Sequence, residues 1–375
     1  MRIAIIANNE HAVVPHTRFG VESYTYYLVN GLAKKHQVTL YAAGNSQVSA
    51  RIVSVHPIGS AEDEKIKKEF IKFYQHWLNV EAYRNSDQYD IFHTNDPTTS
   101  IFYSFFSKIP TVSVIHSPWE EERYPIKVLE QLSRKNENHW LIAISKYQMR
   151  QIQKNIKNVK LVYHGIDLSV IDARYEDSFS YLSFLGRADK IKGIDIALEV
   201  AIKLGRQIKL SGTLPSSDKK VFFQNEIEFK LKNNKVAQYI GPILNVKDKF
   251  DFLSKSKALL FPIQWEEPFG LVIIETMACG TPVVAFARGS VPEVIKDGET
   301  GFIVNSSDDD KRGDWIVKKT GLDGLCEAVE KIYSMPEEQY RQMRRNCRAH
   351  VEKNFTVERM VDEYEKVYQE ILSKK

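Results

Sequence analysis

Short apolar runs alternate along the chain with longer segments whose apolar residues recur every three or four positions. "RIAIIA", residues 2–7, has the length of a buried strand, and "VESYTYYLVNGLAKKH" has helical spacing. "QVTLYAA" reads as the next strand. "YDIFHTN", "IPTVSVIHS", "HWLIAIS" and "VKLVYHG" follow, each an apolar run closed by a polar residue or a turn. Strands alternating with helices predict a parallel sheet covered on both faces. Ligands of such sheets bind beyond the carboxyl ends of the strands, where His93, His116, Ser145 and His164 are expected.

The pattern then restarts. "YLSFLGRADKIKGIDIALEVAIKLG" is strand, loop and helix, and "RQIKLSG", "VAQYIGP", "KALLFPIQ" and "TPVVAF" add strands. The closing "VERMVDEYEKVYQEILSKK" is an amphipathic helix. The predicted fold class is α/β, with two doubly wound parallel-sheet domains, 1–168 and 169–354. A C-terminal helix, 355–375, is expected to pack back toward the first domain. Two such domains leave a cleft between facing strand ends as the expected ligand site, and 375 residues suffice for a core in each.

Composition narrows the partners. Lys and Arg number 52 against 48 Asp and Glu, an excess too small to point to nucleic acid. Cys279, Cys326 and Cys347 have no metal-ligand or disulfide pattern, which fits a reducing compartment. The N-terminal apolar run is too short for a secretory signal, and no run approaches the ~20 apolar residues of a membrane span. A cytoplasmic protein is expected, with peripheral membrane contact left open. That contact would involve "EKIKKEFIKFYQHWLNVEAY", where Ile66, Phe70, Phe73 and Trp77 share a face flanked by Lys65, Lys67, Lys68 and Lys72. A core-packed helix with a solvated lysine face is the favoured reading, and an interfacial helix the alternative.

Candidate chemistry gathers in two C-terminal segments. In "LGRADKIKG", residues 185–193, Arg187 and Lys192 lie between a strand and a helix. Backbone N–H groups at that helix start, with a guanidinium and an ammonium, suit phosphate oxygens. A solvated basic turn is the plain alternative. In "EEPFGLVIIE", Pro268 and Gly270 suit a turn opening a helix. The N–H groups around Phe269, Gly270 and Leu271 could face an anion. Glu267 precedes the turn, and Glu275 projects from a mostly apolar helix start. A carboxylate there needs a partner, either a sugar or ribose diol or a structural cation. Glu266 is expected to be more exposed and structural. Gly20, after the first strand, and His116, in "SVIHSPW", could meet a phosphate and a sugar hydroxyl; a simple turn and a packing histidine are equally open readings.

Together, "GRADKIKG" and "EEPFGLVIIETMACGTPVVAFARGSVPEVIKDGETGFIV" resemble the retaining family 4 glycosyltransferases (glycosyl transferases group 1). "MRIAIIANNEHAVVPHTRFGVESYTYYLVNGL" and "VYHGID" extend that resemblance over essentially the whole chain. It implies the GT-B fold, two Rossmann-like domains facing a cleft. It also implies transfer of a hexosyl group from a nucleotide diphosphate sugar, UDP- or GDP-linked, to a sugar, lipid-linked or small-molecule acceptor, with no metal or other cofactor. Gly186, Arg187 and Lys192 match the diphosphate loop. Glu267 matches the acid contacting the donor sugar, and Glu275 the acid holding the ribose. Phe269, Gly270 and Leu271 match the loop around sugar and phosphate. Ile243, in "IGPI", matches the base-binding edge. Gly20 matches the N-terminal loop glycine, and His116 a histidine near the transferred sugar. Many relatives carry two adjacent glycines where Phe19 precedes Gly20 here, so Glu22 and Tyr24 join the acceptor-side candidates.

In the implied mechanism Arg187, Lys192 and helix-end N–H groups stabilise charge growing on the leaving diphosphate, and domain closure brings His116 and Gly20 to the donor. Two competing readings use the same fold. A nucleotide-sugar epimerase needs acid and base groups around the ring, and a non-catalytic nucleotide-sugar-binding protein needs only the pocket.

Overall fold

The structure is a computed structural model describing residues 1–375 except 16, 18, 121–123, 177–178, 215–220 and 375, with the Tyr124 side chain also outside the described set. His16 and Arg18 of the N-terminal loop therefore lie outside the described residues. Continuous apolar runs suit strands buried on both faces, which need no polar alternation. The first sheet has seven strands among the described residues, most of them of this kind: β1 Arg2–Ile6, β2 Gln37–Tyr41, β3 Arg51–Val53, β4 Ile91–Thr94, β5 Thr111–Val114, β6 His139–Ala143 and β7 Val159–Leu161. Their spatial order is β3-β2-β1-β4-β5-β6-β7, every pair parallel. A second parallel sheet follows: β8 Tyr181–Leu185, β9 Ile208–Ser211, β10 Ala237–Tyr239, β11 Ser256–Phe261, β12 Val283–Phe286 and β13 Gly301–Val304. Its order is β10-β9-β8-β11-β12-β13. The strand order of each sheet reverses once, between β1 and β4 and between β8 and β11. A crevice for ligands opens at such a point.

The chain divides into two compact units, Met1–Gly165 with Val357–Lys375, and Ile166–Thr356. The Val357–Ser373 helix belongs to the first unit because its apolar stripe has a flat partner there. Val357, Met360, Val361, Tyr364, Val367, Tyr368 and Ile371 are buried, each side chain stabilising by ~1.5–3 kcal/mol relative to exposure. Val361 lies against Gly31 of the Gly20–Leu32 helix, where a Cβ would come within 2.5 Å of its Cγ2. Lys35 seals the edge with bonds to Asp362 and Glu365. In the second unit Leu182, Phe184, Leu260 and Val284 pack with Leu198, Leu325 and Val329, from the Ile194–Leu204 and Gly321–Ser334 helices.

One orientation is the reverse of the favoured expectation. The segment with the lysine face does form a helix, Ile71–Tyr83, but Leu78, Asn79, Ala82 and Tyr83 are its buried residues. Tyr83 stacks on Phe92 of β4 with ring centroids 4.4 Å apart, inside a cluster with Ala4, Ile6 and Tyr41. That face fills the available sheet surface. The aromatic stripe expected in the core points outward: Phe70, Phe73, Trp77 and Val80 are all exposed.

Candidate functional site

In the second unit, residues from both C-terminal segments meet beyond the carboxyl ends of β8 and β11, at the reversal of strand order. Asp189 accepts a bond from the Lys192 N–H (3.1 Å), closing the short Lys190–Lys192 turn. The turn is docked by the Gln264 N–H donating to the Ile191 carbonyl (2.9 Å). The Lys192 ammonium then donates to Glu267 Oε2 at 2.9 Å, across 75 positions of sequence. The Trp265 indole N–H donates to the same oxygen at 2.8 Å, and the ammonium lies 4.5 Å from the indole centroid. Trp265 therefore holds both partners, by a hydrogen bond and by a cation–π contact.

Backbone geometry fixes Glu267. Gly289 follows β12 with φ +58°, and a Cβ there would fall 2.3 Å from the Glu267 carbonyl oxygen. Its absence admits the Ser290 N–H, which donates to that oxygen at 2.9 Å. Gly270, with φ +85°, starts the Leu271–Ala278 helix in the left-handed region and offers no side-chain acceptor at the N-cap. Phe269 is buried beside Phe355, and its carbonyl accepts from the Ser290 hydroxyl. The helix start is thus held rigidly, with its positive dipole end adjoining Glu267.

Arg187 is half-exposed and ion-paired with Asp189 at 3.3 Å. Gly186 precedes it, its carbonyl against Gly212, where a Cβ would clash at 1.7 Å. The Gly212 N–H donates to the Gly241 carbonyl, which adjoins the segment carrying Ile243. Glu275 is paired elsewhere: the Lys249 ammonium donates to it at 2.6 Å. Glu266 is more exposed than Glu267, at 29% against 10% of the side chain, and it is a structural acid. Burial raises its pKa, but bonds from Arg312, the Gly289 N–H and Arg288 outweigh that and leave it lowered. Trp265 was legible as a residue two positions before Glu267 but carried no signal of its role. Lys249, on a separate helix, had none.

In the first unit, Gly20 opens the Gly20–Leu32 helix and is exposed. His93 lies within β4, not beyond it, and is sealed: the Tyr24 and Tyr368 hydroxyls lie 3.1 and 2.7 Å from its ring nitrogens. His116 stacks on His164 at 5.4 Å. Asn95 Nδ2 donates to the Thr25 hydroxyl, which donates to the Val21 carbonyl. That orients Asn95 Oδ1 to accept from His116 Nε2 at 3.1 Å and leaves His116 Nδ1 as an acceptor. Burial pushes the His116 pKa down to about 3, so the ring is neutral at pH 7. Glu22 is buried on the same helix, its pKa raised chiefly by burial.

Burial also lowers His93 and His139 to about 3, and His164 in the same direction. Their folded pKa values lie below the unfolded value near 6.5. Between about 3 and 6.5 the unfolded chain binds the extra protons, so stability falls as pH drops below 6.5. Each such histidine contributes up to about 1.4 kcal/mol per pH unit. Thermal melting is expected to show Tm falling steadily from pH 6.5 to pH 5, above the titration range of ordinary carboxylates. A flat Tm across that interval would contradict neutral burial of these rings.

Among the described residues, no three His, Cys, Asp or Glu side chains gather into a possible metal site. No helix among them is long and apolar enough to cross a membrane. Residues 174–350 match the family model described as glycosyl transferases group 1, and residues 20–170 match the one described as glycosyltransferase family 4. An uncharacterized glycosyltransferase of Methanocaldococcus jannaschii is 29% identical over 44% of this chain, the match spanning 45% of that relative's length. Spore coat protein SA of Bacillus subtilis is 23% identical over 98% of this chain and 99% of its own. The crystal structure of Anabaena HepE in complex with UDP and glucose superposes with a TM-score of 0.73 at 16% identity, covering 98% of this chain and 99% of that one. That likeness shows the fold, two Rossmann-like parallel-sheet domains of the GT-B type.

Proposed function

The chain belongs to the group 1, or family 4, glycosyltransferases, and from that premise we propose that it moves a hexosyl group from a nucleoside diphosphate sugar to an acceptor hydroxyl with retention of configuration. The observation that carries this reading is the Lys192–Glu267 pair held by Trp265 at the reversal of strand order. In the free protein each charge satisfies the other. A sugar diphosphate supplies both replacements: phosphate oxygens for the ammonium and sugar hydroxyls for the carboxylate. Exchange of partners lets two largely desolvated charges act on the donor without first being stripped of water.

In the proposed reaction the bond from the anomeric carbon to the diphosphate oxygen breaks, and its electron pair stays with the diphosphate. Lys192 and Arg187 take up the growing negative charge, with the N–H groups at the start of the Leu271–Ala278 helix beside them. The acceptor oxygen attacks from the face the diphosphate leaves, and its proton passes to the departing phosphate. The products are the glycoside and the nucleoside diphosphate. Neutral His116 accepts a hydrogen bond from a sugar hydroxyl through Nδ1, and Glu22 serves the acceptor; Tyr24 leaves the acceptor side, because it is buried with its hydroxyl on His93. Gly20 and Gly186 let backbone approach the phosphates, Ile243 flanks the base, and Glu275 exchanges Lys249 for the ribose hydroxyls. UDP sugars are the first donors to try, since HepE was solved with UDP.

A thermal-shift series over UDP and GDP sugars tests the reading, because a bound donor stabilises the folded state. One donor class is expected to raise Tm, and Glu275→Gln to weaken that donor about tenfold or more through its ribose. Unchanged affinity in the variant would remove Glu275 from the pocket. Conversion of donor to an epimer without acceptor would replace transfer with isomerisation.

A further inference from the structure

The outward face of the Ile71–Tyr83 helix is exposed and unusually apolar. Phe73 and Trp77 are 66% and 51% exposed, with Phe70 and Val80 beside them on the same stripe. A second exposed set follows on the neighbouring Pro97–Ser104 helix and the turn after it: Phe102, Phe105 and Phe106, the last 90% exposed. The two sets adjoin, because His76 on the exposed side of the first helix is within hydrogen-bond distance (3.0 Å) of the Tyr103 hydroxyl on the second. Two neighbouring helices and the residues flanking them thus expose five phenylalanines and a tryptophan, in two sets bridged by the His76–Tyr103 contact. Scattered exposed apolar residues need no explanation, but a contiguous aromatic patch on a soluble fold marks a contact surface.

The charges around the patch select its occupant. Lys65, Lys67, Lys68 and Lys72 are exposed before and at the start of the helix, against two acids within residues 65–81: Glu69, and Glu81, whose carboxylate accepts from the Trp77 indole N–H (3.4 Å) and is neutralised by Arg84 at 2.7 Å. Lys108 stands beside Phe106, and residues 97–108 contain no acid. Of the acids just upstream, Glu62 is taken by Asn45 and the Ala12 and Gly59 N–H groups, and Asp63 by His56 and the Lys65 N–H; Glu64 is exposed. Protein interfaces are depleted in lysine at their cores, and a two-fold pairing of this face would oppose like charges. Aromatic rings flanked by lysines instead suit the headgroup region of a bilayer. The rings enter the acyl boundary there, and the ammonium groups reach back to lipid phosphates.

We propose that this face docks the protein on a bilayer containing anionic phospholipid, with Phe73, Trp77 and Phe106 inserted and the lysines on lipid phosphates. The inference does not rest on the transfer reaction, and it is tested without substrate. In flotation with phosphatidylcholine vesicles with and without phosphatidylglycerol, the intact chain is expected to float at least about tenfold more with the anionic lipid. Phe73→Ser/Trp77→Ser/Phe106→Ser should lose about tenfold or more of that binding while melting like the parent, because all three side chains are exposed. Lys67→Glu/Lys68→Glu/Lys72→Glu should abolish the preference for anionic lipid. No flotation of the parent, or equal flotation of the aromatic variant, would overturn the proposal. So would sedimentation showing a dimer that the aromatic substitutions dissolve while vesicles bind neither protein.

Discussion

Lys192→Ala is expected to lower kcat for sugar transfer by about two to three orders of magnitude, the usual cost of removing one preorganised donor from a developing anion. The ammonium is positioned before any donor arrives, 2.9 Å from Glu267 Oε2 and over the Trp265 ring. Arg187→Ala should cost less in kcat and more in donor affinity, because its guanidinium is half-exposed and must be gathered from solvent. Steady-state kinetics with the donor that gives the largest thermal shift measures both. Transfer within threefold of the parent in both variants would remove the pair from the chemistry.

A purely structural role for the pair makes a different prediction. Lys192→Ala strands a carboxylate that is only 10% exposed, with Trp265 as its remaining side-chain donor among the described residues, and should lower Tm on that account. Adding Glu267→Gln removes the stranded charge, so the double variant should regain much of the lost stability. Activity should not return with it. Recovery of both together would make the pair a fold element and nothing more.

The reversal of strand order also explains what could be read from sequence. Strands buried on both faces appear as unbroken apolar runs, so β1, β4, β8, β11 and β12 stand out. With them the loops carrying Lys192 and Glu267 fall at adjoining strand ends. β3 is three residues long, at a sheet edge and incompletely buried, so its composition has no apolar run to show. The Ile71–Tyr83 helix had a clear period but gave the wrong inward face. Periodicity reports that an apolar stripe exists, while which side meets the sheet depends on what already fills it, here Tyr83 on Phe92. The Lys249 bond to Glu275 and the Trp265 bridge are tertiary choices, made by the packing of distant loops rather than by local pattern.

The same limit hides the residue whose loss should most damage the fold. Arg344 looks like a surface position in the basic run "RQMRRNCRAH", yet it is fully buried. Its guanidinium donates to the carbonyls of Arg174 (2.7 Å), Ser254 (2.8 Å) and Ser256 (3.1 Å) and to the Tyr340 hydroxyl (3.0 Å), and lies 3.6 Å from the Phe179 ring centroid. It thereby ties the Glu337–Asn354 helix to the chain before β8 and to the start of β11. None of these partners is a carboxylate, so peptide dipoles and the aromatic face supply the compensation for a buried charge. Arg344→Met keeps much of the volume but leaves three carbonyls short of a donor, those of Ser254 and Ser256 buried and that of Arg174 partly so, each costing up to roughly 1–3 kcal/mol where no other donor replaces it. A loss of about 3–5 kcal/mol is expected from urea unfolding, with Arg344→Lys restoring part of it by serving one or two of the same carbonyls. A loss below about 1 kcal/mol for Arg344→Met would mean that the carbonyls find other donors and that the guanidinium is not what joins the helix to the sheet.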